Sequence, residues 1–478
     1  MGLRAAFRTL RGGYPGGWRQ YAQGHAGEQT PSLVQPSDPR DLRSRIPPLG
    51  LREYWYPALP AGDVGWKKPI GLRLLGEDLV FFRGRDGEVQ ALLDRCPHRG
   101  AALSWGDCFW KGFMSCPYHG ATFDGAGECV EFITEGPDSR MVGCLKVRKF
   151  PTRMLKGMVF VWMGEGAPAP IEEDVPPELF DDDPSMVVHH AIRYWQCNWM
   201  IALENTLDAH NAFYVHRDAI LFLMTRNGGR PRTPRGYHSR VVNGRAVIAT
   251  DRNATAYYEQ DGRLPHQMYY PRAQGYWPLH RWRLLWTWLT DRGRRGGLAG
   301  TPEEWTMGMH LPSQQRIATP ARAGTLGAWY TRVCVPVETD LTRVVYFRAV
   351  RSQNRLARAW ERVAYRLYYN WLMHFNFSDM DYDAMRSVRY DTPEYLSATD
   401  SHLVAQRRLV VEHARGLARP HAAADGARSS APPAPLAEGA GNGPENGEAL
   451  VGAGAADGER VGRRGEGAAP YFGAPREP

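Results

Sequence analysis

The sequence has no long apolar run. The longest runs, such as Met158 to Met163, are six residues long, whereas a membrane-spanning helix needs ~20. Residues 1–28 carry arginines but lack the continuous apolar core of a signal peptide. No Gly-rich dinucleotide fingerprint opens a helix after a strand, which argues against a bound nicotinamide or flavin. The lack of a long apolar run and of a signal peptide predicts a cytoplasmic chain with no membrane partner.

Cysteine is scarce, with seven residues among 478. An odd number in a large chain without a secretory signal argues against a disulfide framework and for reduced thiols or metal ligands. Most cysteines in such a chain act as small buried hydrophobic residues. We expect that role for Cys108, Cys129, Cys144, Cys197 and Cys334.

The formal net charge of +8 comes from Arg and Lys residues that are spread along the chain. No helix-turn-helix or zinc-finger spacing accompanies them, and charge by itself supplies only nonspecific affinity for nucleic acid. We therefore predict no nucleic-acid partner. Basic side chains facing an acidic redox partner are a better use of this charge.

Shifts in composition divide the chain into five segments. Gly, Arg, Gln and Pro dominate the first, a Pro/Gly-rich and acidic stretch breaks the middle, and Ala, Gly, Pro, Glu and Arg dominate the last. The last segment contains too few apolar residues to offset the entropy of ordering it. The predicted division is an extended arm at 1–48, a first domain at 49–165, a linker at 166–185, a second domain at 186–413 and a flexible tail at 414–478.

Short β-rich runs separated by Gly-Asp and Asp-Gly turn signals predict that the first domain is all-β. The clearest runs are Asp78 to Phe82, Val89 to Leu93, and Met158 to Met163. The second domain mixes helical and strand-like patterns, so we expect an α+β domain. Its predicted helices are Asn198 to Tyr214, Arg355 to Phe375 and Ser401 to His413, and its predicted strands include Leu284 to Trp288 and Arg343 to Arg348.

Two short motifs in the first domain combine thiols with imidazoles. Cys96-Pro-His98 and Cys116-Pro-Tyr-His119 lie on predicted loops, and Gly100 and Gly120 follow them closely, as tight loops require. A structural zinc site also takes two cysteines and two histidines, but its usual pairs are Cys-x2-4-Cys and His-x3-5-His.

These motifs and the run that follows, His119-Gly-Ala-Thr-Phe123-Asp124, resemble the terminal oxygenase component of Rieske non-haem iron oxygenases. The resemblance implies a [2Fe-2S] cluster in which two cysteines hold one iron and two histidines the other, which raises the reduction potential above that of an all-cysteine cluster. The expected ligands are Cys96, His98, Cys116 and His119.

A second segment, from Glu204 through Asn205, Asp208 and His210 to His216, resembles the catalytic signature of the ring-hydroxylating large subunit. That resemblance implies a mononuclear Fe(II) held by two histidines and a carboxylate, with positions left open for O2. The carboxylate must come from elsewhere in the chain. The favoured candidate is Asp381, and Asp379 and Asp383 are its rivals; all three could instead form a solvated acidic turn.

The segment departs from the family pattern at one position. The register of the family's first iron-ligating histidine falls on Asn211, and the nearest histidine is one residue earlier, at His210. On a regular helix Glu204, Asp208 and Asn211 share a face and His210 points away from it. Three alternatives remain: a bulge turns His210 inward, Asn211 lends its side-chain oxygen to iron, or the site is altered. We predict His210, His216 and Asp381 as the iron ligands.

Asp208 matches the carboxylate that, in this family, links a catalytic histidine to a Rieske histidine of the neighbouring subunit. Together with Glu204, Asn205 and Asn211 it makes up the predicted catalytic set.

The resemblance implies an α+β fold in which an all-β Rieske [2Fe-2S] domain precedes a helix-grip-like catalytic domain, assembled head to tail as a homotrimer. The implied activity is O2-dependent hydroxylation or oxidative dealkylation of a small organic, aromatic or hydrophobic substrate. A separate reductase or ferredoxin supplies the electrons. The alternative is a Rieske electron-transfer or redox-sensing protein whose mononuclear site is degenerate, which Asn211 favours and the chain length opposes.

Overall fold

The computed structural model describes residues 40–207, 307–319, 328–352, 354–390 and 400–417, together with short stretches between them (215, 232–234, 237–242, 245–250, 255–257 and 393–396). Within these residues, no helix is long and apolar enough to cross a membrane. The predicted strand Leu284 to Trp288 lies outside the described residues, as do the segments 1–39 and 418–478.

The first half of the described chain is built from ten short strands and no α-helix among residues 40–165. This confirms the predicted all-β domain, and β4 has the predicted bounds. The strands are β1 (Trp55–Pro60), β2 (Ile70–Leu74), β3 (Glu77–Arg83), β4 (Val89–Leu93), β5 (Met114–Ser115), β6 (Ala121–Phe123), β7 (Cys129–Phe132), β8 (Lys149–Phe150), β9 (Thr152–Leu155) and β10 (Met158–Trp162).

These strands form three antiparallel sheets, in the orders β1-β10-β9, β2-β3-β4-β8 and β5-β6-β7. Strands β3 and β4 are rich in Val, Leu and Phe because both of their faces are buried. One face of this sheet contributes Phe81 to the large core, and the other contributes Phe82 to a smaller core under the β5-β6-β7 sheet.

The second half is organised around a seven-stranded antiparallel sheet of order β11-β19-β18-β17-β16-β14-β13, with a separate β12-β15 pair. Its longest strands are rich in β-branched and aromatic residues, and the predicted run Arg343 to Arg348 lies within β19. The β18-β19 hairpin lies between β11 at one edge and β17 at the centre of the sheet. The strands are β11 (Met186–Trp195), β12 (Arg232–Pro234), β13 (Tyr237–Val242), β14 (Arg245–Thr250), β15 (Thr255–Tyr257), β16 (Met307–His310), β17 (Gln314–Thr319), β18 (Ala328–Glu338) and β19 (Leu341–Arg351).

The α-helices of the described chain are α1 (Trp199–Glu204), α2 (Arg355–Ala364), α3 (Ser378–Met385) and α4 (Ser401–His413). Helix α1 begins where Asn198 accepts a hydrogen bond from the Met200 N–H at 2.9 Å, and all six of its residues are buried. It continues into a 3-10 turn, Asn205–Leu207. Two π-helical segments, Tyr365–Tyr369 and Trp371–Phe377, connect α2 to α3. The α+β class is thereby confirmed.

The two halves share one apolar core, which extends from Trp55 on β1 to Trp195 on β11. The β2-β3 turn also contacts the end of β18, since Leu75 and Gly76 donate their N–H groups to the carbonyls of Pro336 and Val337 at 2.8 and 3.1 Å. The β5-β6-β7 sheet and its loops therefore project from a support that is continuous with the seven-stranded sheet.

Candidate metal centres

The first cysteine motif forms a tight loop that closes on itself. The Cys96 N–H donates to the carbonyl of Ala101 at 2.8 Å, and the Gly100 N–H donates to the carbonyl of Cys96 at 2.8 Å. Gly100 has φ +75°, a left-handed conformation that glycine adopts without strain. This closure turns the side chains of residues 96 and 98 toward the same side of the loop.

The second cysteine motif repeats that geometry. The Cys116 N–H donates to the carbonyl of Ala121 at 2.8 Å, and the Gly120 N–H donates to the carbonyl of Cys116 at 3.2 Å. Gly120 has φ +71°, and a Cβ at this position would lie 2.7 Å from the Cβ of Ile133. The two loops are thus structural copies, each presenting one thiol and one imidazole.

The two loops bring their thiols together in the interior. Cys96 and Cys116 are 2% and 5% exposed. The hydrogen bond that the two thiols share lowers the pKa of Cys116 and raises the pKa of Cys96. Thiolate is the metal-binding form of cysteine, so the two neighbouring thiols are placed to bind one metal centre together.

The two imidazoles also meet. The ring centroids of His98 and His119 are 4.7 Å apart in an edge-to-face arrangement, and the ring of Phe132 packs 5.4 Å from that of His98. The Nδ1 atom of His119 is buried and has no hydrogen-bond partner within the described part of the chain. A buried nitrogen without a partner is costly unless a ligand binds it, so the donor set of two sulfurs and two nitrogens fits an iron-sulfur cluster with mixed ligation.

The catalytic segment starts in α1, and its first predicted residue is held by an ion pair. Glu204 is 7% exposed, and its two carboxylate oxygens accept hydrogen bonds from Nε and Nη2 of Arg407 at 2.6 and 2.8 Å. Arg407, on α4, also donates to both oxygens of Glu394 at 2.6 and 3.0 Å. Burial raises the pKa of Glu204, and the neighbouring guanidinium opposes that rise. These contacts anchor α1 to α4.

The next predicted residue touches the favoured carboxylate. Asn205 donates from Nδ2 to Oδ1 of Asp381 at 3.2 Å, although 176 residues separate the two in sequence. Asp381 lies on α3 and is 5% exposed. The structure therefore brings the start of the segment that carries His210 and His216 next to Asp381.

The rival carboxylates have other surroundings. Both oxygens of Asp379 accept hydrogen bonds from Arg193 at 2.6 and 2.7 Å. The side chain of Asp383 is 69% exposed and lies 3.6 Å from Arg386 of the same helix. Of the three, Asp381 is the one that contacts the catalytic segment in the described structure.

Four predicted site residues lie outside the described residues: Asp208, His210, Asn211 and His216. Within the described part of the chain, no group of three or more His, Cys, Asp and Glu side chains converges as a single metal ion requires. The mononuclear ligand set therefore stays a prediction for its histidines.

Sequence reasoning missed two arginines that bind the predicted residues. Arg407 pairs with Glu204, and Arg332 on β18 donates to Oδ1 of Asn205 at 3.2 Å. A signal for Arg332 exists, because it is the one charged residue in the interior of β18, whose other charged residue, Glu338, stands at the strand end. Charged residues are rarely buried without a partner, so such a position points to a polar site within the sheet.

Comparisons with known proteins agree with this arrangement. Residues 54–151 match the model of the Rieske [2Fe-2S] domain, and residues 162–418 match the model described as homotrimeric ring hydroxylase. The terminal oxygenase component of carbazole 1,9a-dioxygenase from Sphingomonas sp is 37% identical over 175 residues, which cover 36% of this chain and 45% of that protein. The oxygenase component of dicamba O-demethylase from Stenotrophomonas maltophilia is 36% identical over 168 residues, which cover 35% of this chain and 48% of that protein.

Solved structures extend the similarity over most of the described chain. The oxygenase in a reduced complex with ferredoxin from carbazole 1,9a-dioxygenase superposes with a TM-score of 0.62 at 24% identity, covering 80% of this chain and 94% of that one. The terminal oxygenase of carbazole 1,9a-dioxygenase from Novosphingobium sp. KA1 gives 0.59 at 22% identity, covering 79% and 96%. At this identity the structural match shows the fold. By sequence, the chain spans about half the length of the curated relatives that it matches.

Proposed function

The chain belongs to the family of homotrimeric ring hydroxylases and carries a Rieske [2Fe-2S] domain, and from this premise we propose that it is the terminal oxygenase of an O2-dependent system. The observation that carries the proposal is the contact between Asn205 and Asp381, which joins the catalytic signature to a distant carboxylate. An electron carrier needs only the cluster domain, whereas this contact supports a second site that would hold the mononuclear iron.

Two cofactors follow from the family. Cys96, His98, Cys116 and His119 would hold the [2Fe-2S] cluster, and His210, His216 and Asp381 would hold the mononuclear Fe(II). When bound, the cluster would supply single electrons and the mononuclear iron would supply the chemistry of O2 activation. The residues of this chain do the rest: the two matched loops exclude water from the sulfur pair, and Asn205 orients the Asp381 carboxylate by donating to its Oδ1.

Substrate and donor are inferred from the relatives. The relatives include the oxygenase components of carbazole 1,9a-dioxygenase and dicamba O-demethylase, and an oxygenase–ferredoxin complex is among the structural matches. We propose hydroxylation or oxidative dealkylation of a small aromatic or hydrophobic molecule, with electrons from a separate ferredoxin or reductase. A cytoplasmic location belongs to this proposal, and all seven cysteines are free of disulfides, as reduced thiols would be.

The assembly completes the proposal. We propose a head-to-tail homotrimer in which Asp208 links a catalytic histidine to a Rieske histidine of the neighbouring subunit. The predicted division into a Rieske domain at 49–165 and a catalytic domain at 186–413 is kept in this proposal. The family matches at 54–151 and 162–418 lie close to that division and support it.

The cluster is tested on anaerobically purified protein by iron and sulfide quantification and by electron paramagnetic resonance after reduction. We expect one Rieske cluster per chain and its loss in Cys96→Ser. The matched control is Cys129→Ser, because Cys129 is 1% exposed, lies in the same core and belongs to neither loop. Stoichiometric zinc without labile sulfide would contradict the proposal.

The second iron is tested with NO, which gives ferrous non-haem iron a resonance distinct from that of the cluster. We expect Asp381→Ala to lose this signal and to stop substrate oxidation while its Rieske signal stays intact. Asp379→Ala and Asp383→Ala are controls on the same helix and should keep the signal, because these carboxylates pair with Arg193 and Arg386. A wild-type protein that carries the cluster but never yields the NO signal would instead be an electron-transfer protein.

A further inference from the structure

Arg332 is a cation buried within the seven-stranded sheet. It is 4% exposed, and the centre of its guanidinium lies 4.2 Å from the ring centroid of Trp195. Its Nη2 donates to the carbonyl of Ala202 at 3.0 Å, and its Nη1 donates to Oδ1 of Asn205 at 3.2 Å. Both acceptors belong to α1 and the 3-10 turn that follows it. The two terminal nitrogens of one guanidinium therefore bind the C-terminal end of the helix that leads into the catalytic segment.

The orientation of Asn205 is determined by its two partners. A guanidinium has only donors and a carboxylate has only acceptors, so the amide oxygen must face Arg332 and the amide nitrogen must face Asp381. The structure has this arrangement, with 3.2 Å on each side. Arg332, Asn205 and Asp381 thus form a chain of two hydrogen bonds that runs from the guanidinium to the carboxylate.

A buried cation at this place has an electrostatic cost that its surroundings must offset. Burial disfavours the charged form, but the nearby Asp381 carboxylate opposes it, and the pKa of Arg332 is raised overall. The guanidinium therefore stays charged in the interior, where a positive charge acts strongly because the dielectric constant is low. An apolar residue at this strand position would avoid the free energy cost of burying a charge, yet the position holds an arginine.

We propose that Arg332 is a positioning residue for the mononuclear iron. It holds the helix that leads to the predicted histidines through the Ala202 carbonyl, and it holds the predicted carboxylate ligand through Asn205. One side chain thus contacts the helix that precedes the predicted histidines and, through Asn205, is linked to the predicted carboxylate ligand. The inference rests on the proposed role of Asp381 as a ligand and adds a residue that lies two hydrogen bonds away from it.

The expected size of the effect follows from hydrogen bonds to metal ligands in general. Removal of a group that orients a metal ligand lowers metal affinity by about 10–100-fold. Arg332→Met, which removes both donors and keeps much of the volume, should weaken Fe(II) binding at the mononuclear site by about that factor. Arg332→Lys keeps the charge but reaches one acceptor at a time, so its affinity should lie between those of the wild type and Arg332→Met.

The test titrates Fe(II) anaerobically into protein whose Rieske cluster is loaded and whose mononuclear site is empty. Occupancy is followed by the NO-complex resonance, with the cluster resonance as the internal standard. Arg316→Met is the matched control, because Arg316 is fully buried on the neighbouring strand β17, lies 6.0 Å from the ring centroid of Trp329 and pairs with Glu178 instead of a site residue. Asn205→Leu breaks the same chain of hydrogen bonds and leaves the contact between Arg332 and Ala202 in place.

We expect Arg332→Met and Asn205→Leu each to lose iron affinity and to change the rhombicity of the NO complex. The double variant should lose less than the sum of the two, because both residues act on Asp381 through one chain. Wild-type iron affinity and line shape in Asn205→Leu, or an equal loss in Arg316→Met, would overturn the inference. If Asp381→Ala keeps its iron, the ligand assignment fails instead; if Asp381→Ala loses iron while Arg332→Met keeps it, only this inference fails.

Discussion

At the residue scale, the role of each carboxylate depends on what already binds it. Asp379, Asp381 and Asp383 lie at alternate positions of one helix and are chemically identical, yet an arginine binds both oxygens of Asp379, and Asp383 is largely exposed to solvent. Asp381 is buried and receives an amide N–H from the catalytic segment. Of the three carboxylates, Asp381 is the one that combines burial with a neighbouring amide N–H that can orient it toward a metal.

The identity of the first histidine ligand is the residue-scale prediction. We expect His210 to bind iron and Asn211 to be at most a weak ligand, because imidazole nitrogen is a good ligand for Fe(II) and a neutral amide oxygen is a poorer one. His210→Ala should lose most of the mononuclear iron, and Asn211→Ala should keep it. Metal analysis normalised to the Rieske cluster measures both; full iron in His210→Ala together with loss in Asn211→Ala would make Asn211 the ligand.

At the element scale, helix α1 is short and is held by its neighbours more than by its own hydrogen bonds. A helix of six residues has little intrinsic stability. Asn198 caps it and also donates to the carbonyls of Pro48 and Thr339 at 3.1 and 2.8 Å. At the other end Glu204 pairs with Arg407 of α4. The catalytic segment therefore leaves α1 from a point that is fixed on both sides.

Loss of this anchor should destabilise the catalytic domain. Arg407→Met leaves Glu204 buried without its partner, which typically costs about 3–5 kcal/mol. The control Arg386→Met breaks a solvent-exposed pair with Asp383 and should cost no more than about 1 kcal/mol. Urea unfolding followed by tryptophan fluorescence compares the two variants. Adding Glu204→Gln to Arg407→Met should recover part of the loss; equal midpoints for Arg407→Met and Arg386→Met would refute the anchoring role.

At the scale of the whole molecule, the cluster loops and the predicted iron site occur in different domains of one chain. The Cys96 loop follows β4 and the Cys116 loop connects β5 to β6, whereas Asp381 lies on α3 in the second half of the chain. In a heterologous ring the same pair of surfaces repeats at every contact, so a cluster in one subunit can serve the iron of the next. In the proposed homotrimer, the electron for each iron would therefore come from the cluster of the neighbouring subunit.

Trimers that contain two different inactive variants test whether the electron crosses between subunits. Cys96→Ser subunits lack the cluster and Asp381→Ala subunits lack the iron, so each homotrimer should be inactive. If electrons cross between subunits, trimers reassembled from both variants should regain part of the wild-type turnover, because some contacts pair an intact cluster with an intact iron. Product formation in mixed and unmixed samples at equal protein concentration measures the gain, and no activity in the mixture would favour transfer within one chain.

The cluster site was predictable from the sequence because its ligands come in two local motifs. Cys96, His98 and Gly100 lie within five residues, and the closing hydrogen bonds of the loop are local too. The strands β4 and β10 and the helix α4 followed from equally local patterns of apolar residues and turn signals. A site whose residues are neighbours in the sequence can be predicted without knowledge of the fold.

The sequence by itself determined the domain type and the candidate ligands for the cluster and for the iron. Only the tertiary structure decided which of three closely spaced aspartates meets the catalytic segment, and that Glu204 and Asn205 are bound by Arg407 and Arg332. These contacts join residues 127 to 203 positions apart. No local pattern encodes such a pair, because the partner is selected by which strand and helix pack together and by the free energy cost of leaving a buried charge without one.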